Sequence, residues 1–117
     1  MTSTMLKTQK ATDALKAAAE AGRIAALAVW DRDEHQDRGS CGGAMLELDA
    51  RTVVARQALA LGLAHKSGNE VYLSLPFPEG VRSQNADIPQ VQYKAFRDSL
   101  EAAGFGKAVK RHWTYTD

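Results

Sequence analysis

Cys41 is the only cysteine of the chain, and it stands before Gly42 and Gly43 at the mouth of an alternating run, Ala44-Met45-Leu46-Glu47-Leu48. A thiol becomes a nucleophile when an adjacent base or helix amino end holds it as thiolate and a third group orients the base. His35, His65 and Asp37 supply the right side-chain types, but no local signature fixes their geometry. The sequence favours the plainer reading, in which Cys41 is a small buried residue at a strand entrance and the two glycines give the backbone room. As zinc ligands the same residues lack the CxxC or HxxxH spacing, so no metal is expected. The acidic stretch from Asp31 fails as a calcium loop, with Gln36 where the turn needs Gly and Gly42 where the last ligand should be Glu. Neither phosphate-loop signature occurs, and no cofactor is implied.

Two further groups suit recognition better than bond breaking. Arg82, Ser83, Gln84 and Asn85 combine a forked cation, a hydroxyl and two neutral amides just ahead of a helix start at Ile88. The last stretch, 107–115, mixes Lys107, Lys110 and Arg111 with Trp113 and Tyr115, as single-strand nucleic-acid surfaces do. It also reads as an edge strand that Lys and Arg guard against unwanted pairing. A formal charge of +1 over the 117 residues provides no global field for a polyanion and favours the edge reading.

The elements that must position these groups follow from period and punctuation. Residues 8–28 predict an Ala-rich helix anchored by Leu15, with 23–30 ambiguous between helix and strand, and 31–42 a polar loop. Ala44, Leu46 and Leu48 share one face of a strand; Asp49 caps a helix whose inner stripe is Val54, Ala58 and Leu61, stopped by Gly62. Val71–Leu75 is a second strand, halted by Pro76 and Pro78. Asp87-Ile88-Pro89-Gln90 predicts a capping box opening a helix to Ala103, with Gly104 as its left-handed stop and Phe105 folding back onto Leu100. A final strand puts Val109, Trp113 and Tyr115 on one side and Lys110, His112 and Thr114 on the other.

Strand, helix, strand, helix, strand predicts one α/β domain over 1–117: an N-terminal helix, then a βαβαβ core from 43 with a small, mostly parallel sheet of three strands and room for a fourth. In that topology Cys41 lies at one rim of the sheet and Gln84 and Asn85 at the opposite rim, so the two groups should not form one site. A hydrophobic fraction of 44% with 25% charged residues is that of a soluble domain with no membrane span, and the lone cysteine without an export-type leader suggests a cytoplasmic setting.

The run Cys41-Gly42-Gly43-Ala44, the segment Asn69–Leu73, Gln84-Asn85, then Tyr93, Ala95-Phe96, Leu100, Ala103-Gly104-Phe105 and Asp117 resemble, in order and spacing, a family of small uncharacterised tailed-phage and prophage proteins. That family has an aromatic where Gly43 stands and Ser where Asn85 stands. The resemblance implies phage origin and fold rather than a reaction; with exposed polar loops and no convincing chemical constellation beside it, the expectation is a non-enzymatic accessory protein in the cytoplasm of a host cell that binds and modulates a host protein, an anti-defence or anti-CRISPR-like inhibitor being one form. Its expected contacts are the 82–87 loop and the last strand. The alternative is a nucleotide-like ligand or a Cys41-dependent enzyme with His35 or His65; nucleic-acid binding through Lys107, Lys110, Arg111 and Trp113 ranks third. The oligomeric state stays open, a homodimer included.

Overall fold

A computed structural model describes residues 2–37 and 39–116; Asp117, which carries part of the resemblance, lies outside them. The elements in chain order are α1 (Ser3–Arg32), β1 (Gly42–Leu48), α2 (Val53–Ala60), β2 (Ala64–Ser67), β3 (Glu70–Leu73), α3 (Asp87–Ala102), a 3-10 turn (Gly106–Ala108) and β4 (Val109–Thr116).

The ambiguous stretch 23–30 is helical, and α1 runs to Arg32, so the loop begins later than the composition suggested. Its buried stripe is Ala11, Leu15, Ala18, Gly22, Ala26 and Val29, and the small residues bring α1 close to α3. A Cβ on Gly22 would lie 2.9 Å from the Gln92 carbonyl oxygen, so the two helix backbones are nearly in contact there. Thr2 caps α1 by accepting from Met5 N, and Thr52, not Asp49, caps α2 by accepting from Ala55 N. Asp49 instead shapes the turn before it, accepting from Arg51 N at 3.0 Å. The Asp87/Gln90 capping box does not form: Asn85 Oδ1 takes the Asp87 N–H at 2.9 Å, and Gln90 Nε2 donates to Tyr115 O at 3.1 Å. The end of α3 is as predicted, with Gly104 at φ +89 and Phe105 N donating to Leu100 O at 2.8 Å, the Schellman closure.

The sheet corrects the expected topology. It has four strands in the order β2-β3-β1-β4, and every neighbouring pair is antiparallel. The crossover helices are present, but each lands its strand one place too far for a parallel neighbour. The β1–α2–β2 unit has β3 inserted between its two strands, and β3–α3–β4 has β1 inserted between its own. What interleaves them is the hairpin joining β2 to β3. Its two-residue loop, Gly68-Asn69, has Gly68 at φ +61, the conformation a tight hairpin demands at its first position. That dipeptide is a hairpin signal legible in the sequence. Once the chain reverses there, β3 descends beside the ascending β1, and everything after β3 emerges at the rim where β1 begins.

All three helices serve one face of the sheet. Leu46 and Leu48 of β1 and Val71 and Leu73 of β3 join Leu15, Val54, Phe96 and Leu100 in the main core. A smaller cluster of Ala26, Val29, Trp30, Val81 and Ile88 closes the far end of α1 against α3. The register between β1 and β4 shifts at Glu47/Leu48, so Lys110 is an extra residue and Val109 packs with the core rather than beside Trp113 as the simple alternation implied.

Gly42 and Gly43 do provide the close approach read from the sequence, but to different things. A Cβ on Gly42, at φ +155, would run into backbone atoms of Tyr115 and Thr116, whereas one on Gly43 would meet the Tyr115 hydroxyl at 2.7 Å, the mobile end of a side chain. Gly42→Ala is therefore expected to destabilise by about 1–3 kcal/mol, because strand backbone cannot step aside. Gly43→Ala should cost under about 1 kcal/mol. Urea unfolding of the two variants checks the contrast, and equal losses would contradict it.

Candidate functional site

The antiparallel β3 places the 82–87 segment at the same rim as Cys41, so the predicted separation of the two groups is wrong. Cys41 Sγ donates to Gln84 Oε1 at 3.2 Å, and Cys41 pairs with Asn85 in an isolated antiparallel bridge. The thiol is exposed, not the buried strand-entry residue the sequence suggested, because β1 is only starting there and no helix covers its first residue.

This junction is a set of staples between the loop after α1 and the approach to α3. Asp37 Oδ1 accepts from Ser83 Oγ at 2.6 Å and from Gln84 N at 3.0 Å. The Ser83 bond, then the backbone bond from Gln84, hold the Asp37 carboxyl below its ordinary range. Ser40 O accepts from Ala86 N at 2.7 Å. Asn85, only 2% exposed, donates through Nδ2 to Asp33 Oδ2 at 3.1 Å while its Oδ1 accepts from Asp87 N. Arg32 spans the junction from outside, pairing with Asp33 at 3.0 Å and Asp87 at 3.3 Å. Ser83 and Asn85 are therefore positioning residues for the backbone, and of the four predicted in this loop Arg82 and Gln84 are the exposed ones.

The amide oxygen that Cys41 faces cannot serve as a general base. His35 is committed elsewhere: its Nε2 lies 2.7 Å from Asp31 Oδ1, and its ring stacks on Trp30 with centroids 5.5 Å apart and planes 4° from parallel. His65 is on β2, two strands from β1, tilted against Tyr72 at 6.0 Å. Among the described residues no group of three or more His, Cys, Asp or Glu side chains could hold a metal ion.

The other candidate residues lie on the sheet face away from the helices. Strand pairing sets Met45 opposite Trp113, Gly43 opposite Tyr115, and the row His65, Tyr72, Glu47, Arg111 across all four strands. Trp113 and Tyr115 remain 38% and 47% exposed. Arg111 organises the centre: its Nε donates to Glu47 Oε1 at 2.6 Å, its Nη2 lies 3.5 Å from Glu70 Oε2, and its guanidinium carbon sits 5.0 Å from the Trp113 ring centroid. Lys110 adds a second cation 3.6 Å from Glu47, whose side chain is 3% exposed. The Glu47 pairing holds the Arg111 guanidinium above its ordinary value. Glu47 is the functional-face residue that sequence reasoning missed. Its signal was a lone carboxylate at an outward position of an otherwise apolar strand, which needs a cation across the sheet.

A separate cleft of about 480 Å³ lies between α1 and the 75–79 segment, with Ala19, Leu61, Leu63, Leu75 and Phe77 in its lining. Its rim carries Lys16, Arg23, Glu20 and Glu79, of which Arg23 and Glu20 pair with each other at 2.5 Å. No described helix is long and apolar enough to cross a membrane. No protein-family model matches the chain, and neither a curated protein nor a solved structure does.

Proposed function

We propose that this chain is a non-enzymatic accessory protein that docks, through the helix-free face of its sheet, on another protein and modulates it. One observation carries the reading: the Arg111 guanidinium stacked 5.0 Å over the Trp113 ring on a face that none of the three helices covers. Trp, Tyr and Arg dominate the energetics of protein interfaces, because each offers a large contact area with a polar handle and loses little freedom when already held in place. Here Arg111 is held by Glu47 and Glu70 before any partner arrives. Met45 and Tyr115 extend the same patch. The resemblance to tailed-phage proteins is the ground for taking the partner to be a protein of a host cell.

The charge pattern argues against nucleic acid as the main ligand. Arg111 and Lys110 face Glu47, and Arg111 also faces Glu70, so the cations are offset within the face rather than presented to phosphates. The small-ligand alternative would use the cleft beside α1. Of its polar lining, Lys16, Glu20, Arg23 and Glu79 are exposed and only Gln92 is buried, its Nε2 donating to Pro76 O at 2.9 Å and its Oε1 unpartnered, whereas small-molecule sites converge several polar groups on the ligand.

The test is affinity capture from nuclease-treated host lysate with the whole chain as bait. A partner retained by the parent chain and by Arg82→Ala/Gln84→Ala, and lost by Trp113→Ala/Tyr115→Ala, is the expected result. Loss through the loop variant alone, or capture abolished by nuclease, overturns the proposal. A thiol arm addresses the enzymatic alternative: Cys41 should be alkylated in the native protein no faster than free cysteine, and a rate many-fold higher would reinstate it.

A further inference from the structure

We infer that the outer edge of β4 pairs with β4 of a second copy of this chain, antiparallel about a two-fold axis at Trp113, joining the two sheets into one. This goes beyond the docking reading and does not depend on it, since the Arg111–Trp113 face is complete on a single copy.

The argument begins with the hydrogen-bonding groups. β4 pairs with β1 on one side and is the last strand of the sheet, so its other side carries backbone donors and acceptors that no strand takes. The Tyr115 carbonyl is turned toward β1, lying against the position a Gly42 Cβ would occupy. Strand geometry alternates with period two, so Arg111, Trp113 and Tyr115 direct their amides to β1 while His112, Thr114 and Thr116 direct theirs outward. The groove between α3 and β4, about 520 Å³ and lined in part by His112 and Thr114, leaves this edge open.

Self-pairing requires outward residues to face outward residues, which limits the registers. With the axis at Trp113, residues 111–115, clear of the bulge at Lys110, pair with 115–111 of the copy, and His112 exchanges hydrogen bonds with Thr114 of the copy. On the helix-free face Arg111 then lies opposite the second Tyr115, and the two Trp113 indoles face each other. Cation is set against aromatic and aromatic against aromatic, with no like charges opposed. Moving the axis to His112 sets two imidazoles opposite and draws the two Arg111 cations together. Moving it to Thr114 gives a paired stretch of 112–116, which leaves Arg111 without an aromatic partner. β4 contains no carboxylate, so the charges that normally guard an edge are cations, and in the Trp113 register Arg111 is met by Tyr115 rather than by another cation. The two helix-free faces end on the same side of the joined sheet.

Sedimentation equilibrium and cysteine cross-linking of the whole chain test this. The expected mass is twice 12.7 kDa. Thr114→Pro removes an outward donor on each copy and should weaken self-association about tenfold or more with the circular dichroism unchanged. In a Cys41→Ser background, Trp113→Cys faces its own symmetry mate at a non-hydrogen-bonded pair, about 4.5 Å between Cα atoms, within disulfide reach. It should oxidise to a covalent dimer, and His112→Cys should not. A monomer at millimolar concentration overturns the inference. So does a dimer indifferent to Thr114→Pro, or one that cross-links through His112→Cys instead. The cross-linking result stands even where the proline variant fails to fold.

Discussion

Replacing Phe96 by alanine is expected to lower the unfolding free energy by about 3–5 kcal/mol, the range for removing a buried aromatic ring. Phe96 is fully buried on α3, within the cluster that joins Leu15 and Ala18 of α1 to Leu46 and Leu48 of the sheet. Both sides of that cavity resist collapse. The contact between α1 and α3 is already so close at Gly22 that the helices cannot move much nearer, and the sheet is fixed by its ladders. The loss therefore includes both the transfer of the ring and an unfilled cavity. A domain of this size has a total stability of about 5–15 kcal/mol, so the variant should show a urea midpoint reduced by about a fifth or more with an unchanged slope. Phe77→Ala, at a ring 41% exposed, is the control and should change stability by under about 1 kcal/mol. A loss at Phe96 as small as the control's would mean that the layers repack freely, contrary to the packing described.

Asn85→Asp should be the most damaging near-isosteric change at the Cys41 rim, by about 2–4 kcal/mol at pH 7. The amide nitrogen that donates to Asp33 Oδ2 at 3.1 Å becomes a second carboxylate oxygen facing the first, at a residue 2% exposed. Of the charged groups around it, Arg32 softens the repulsion by its hold on Asp33, while Asp87 adds to it. One proton shared between the two carboxyls relieves the clash, so the folded variant binds protons more tightly than the unfolded chain. The penalty consequently grows as pH rises above the ordinary aspartate value of about 3.9 and fades as pH falls toward it. Asn85→Ala loses the same hydrogen bonds without adding charge, and its deficit against the parent should vary with pH less than that of Asn85→Asp. Unfolding titrations at neutral and mildly acidic pH distinguish the two. A pH-independent deficit for Asn85→Asp would show that Asn85 acts by shape alone.

Much of the local architecture was legible in the residues. The period of Ala44, Leu46 and Leu48 identifies the inner face of β1, and that of Ile88, Phe96 and Leu100 the inner face of α3, because burial on one side imposes the period of the element. Gly104 and Phe105 mark the end of α3, since only a residue tolerant of positive φ closes a Schellman turn without strain. Other features failed for identifiable reasons. Thr52 replaced Asp49 as a cap because both are competent and the turn geometry chooses between them. The internal partner of Asn85 was not legible, because a polar side chain in a loop looks the same whether it faces solvent or an aspartate distant in sequence.

The sequence by itself determined the helices, most of the strands and which face of each is buried, for these depend on interactions within a few residues. The tertiary structure alone decided strand direction and order, and through them the meeting of Cys41 with Gln84 and the exposure of Arg111 and Trp113 on a helix-free face. The physical reason is that a crossover helix returns the chain to the sheet without specifying which slot it enters. Gly68-Asn69 reverses the chain locally, but whether β3 then lies beside β1 or beyond it depends on side-chain packing and backbone pairing between segments far apart in sequence.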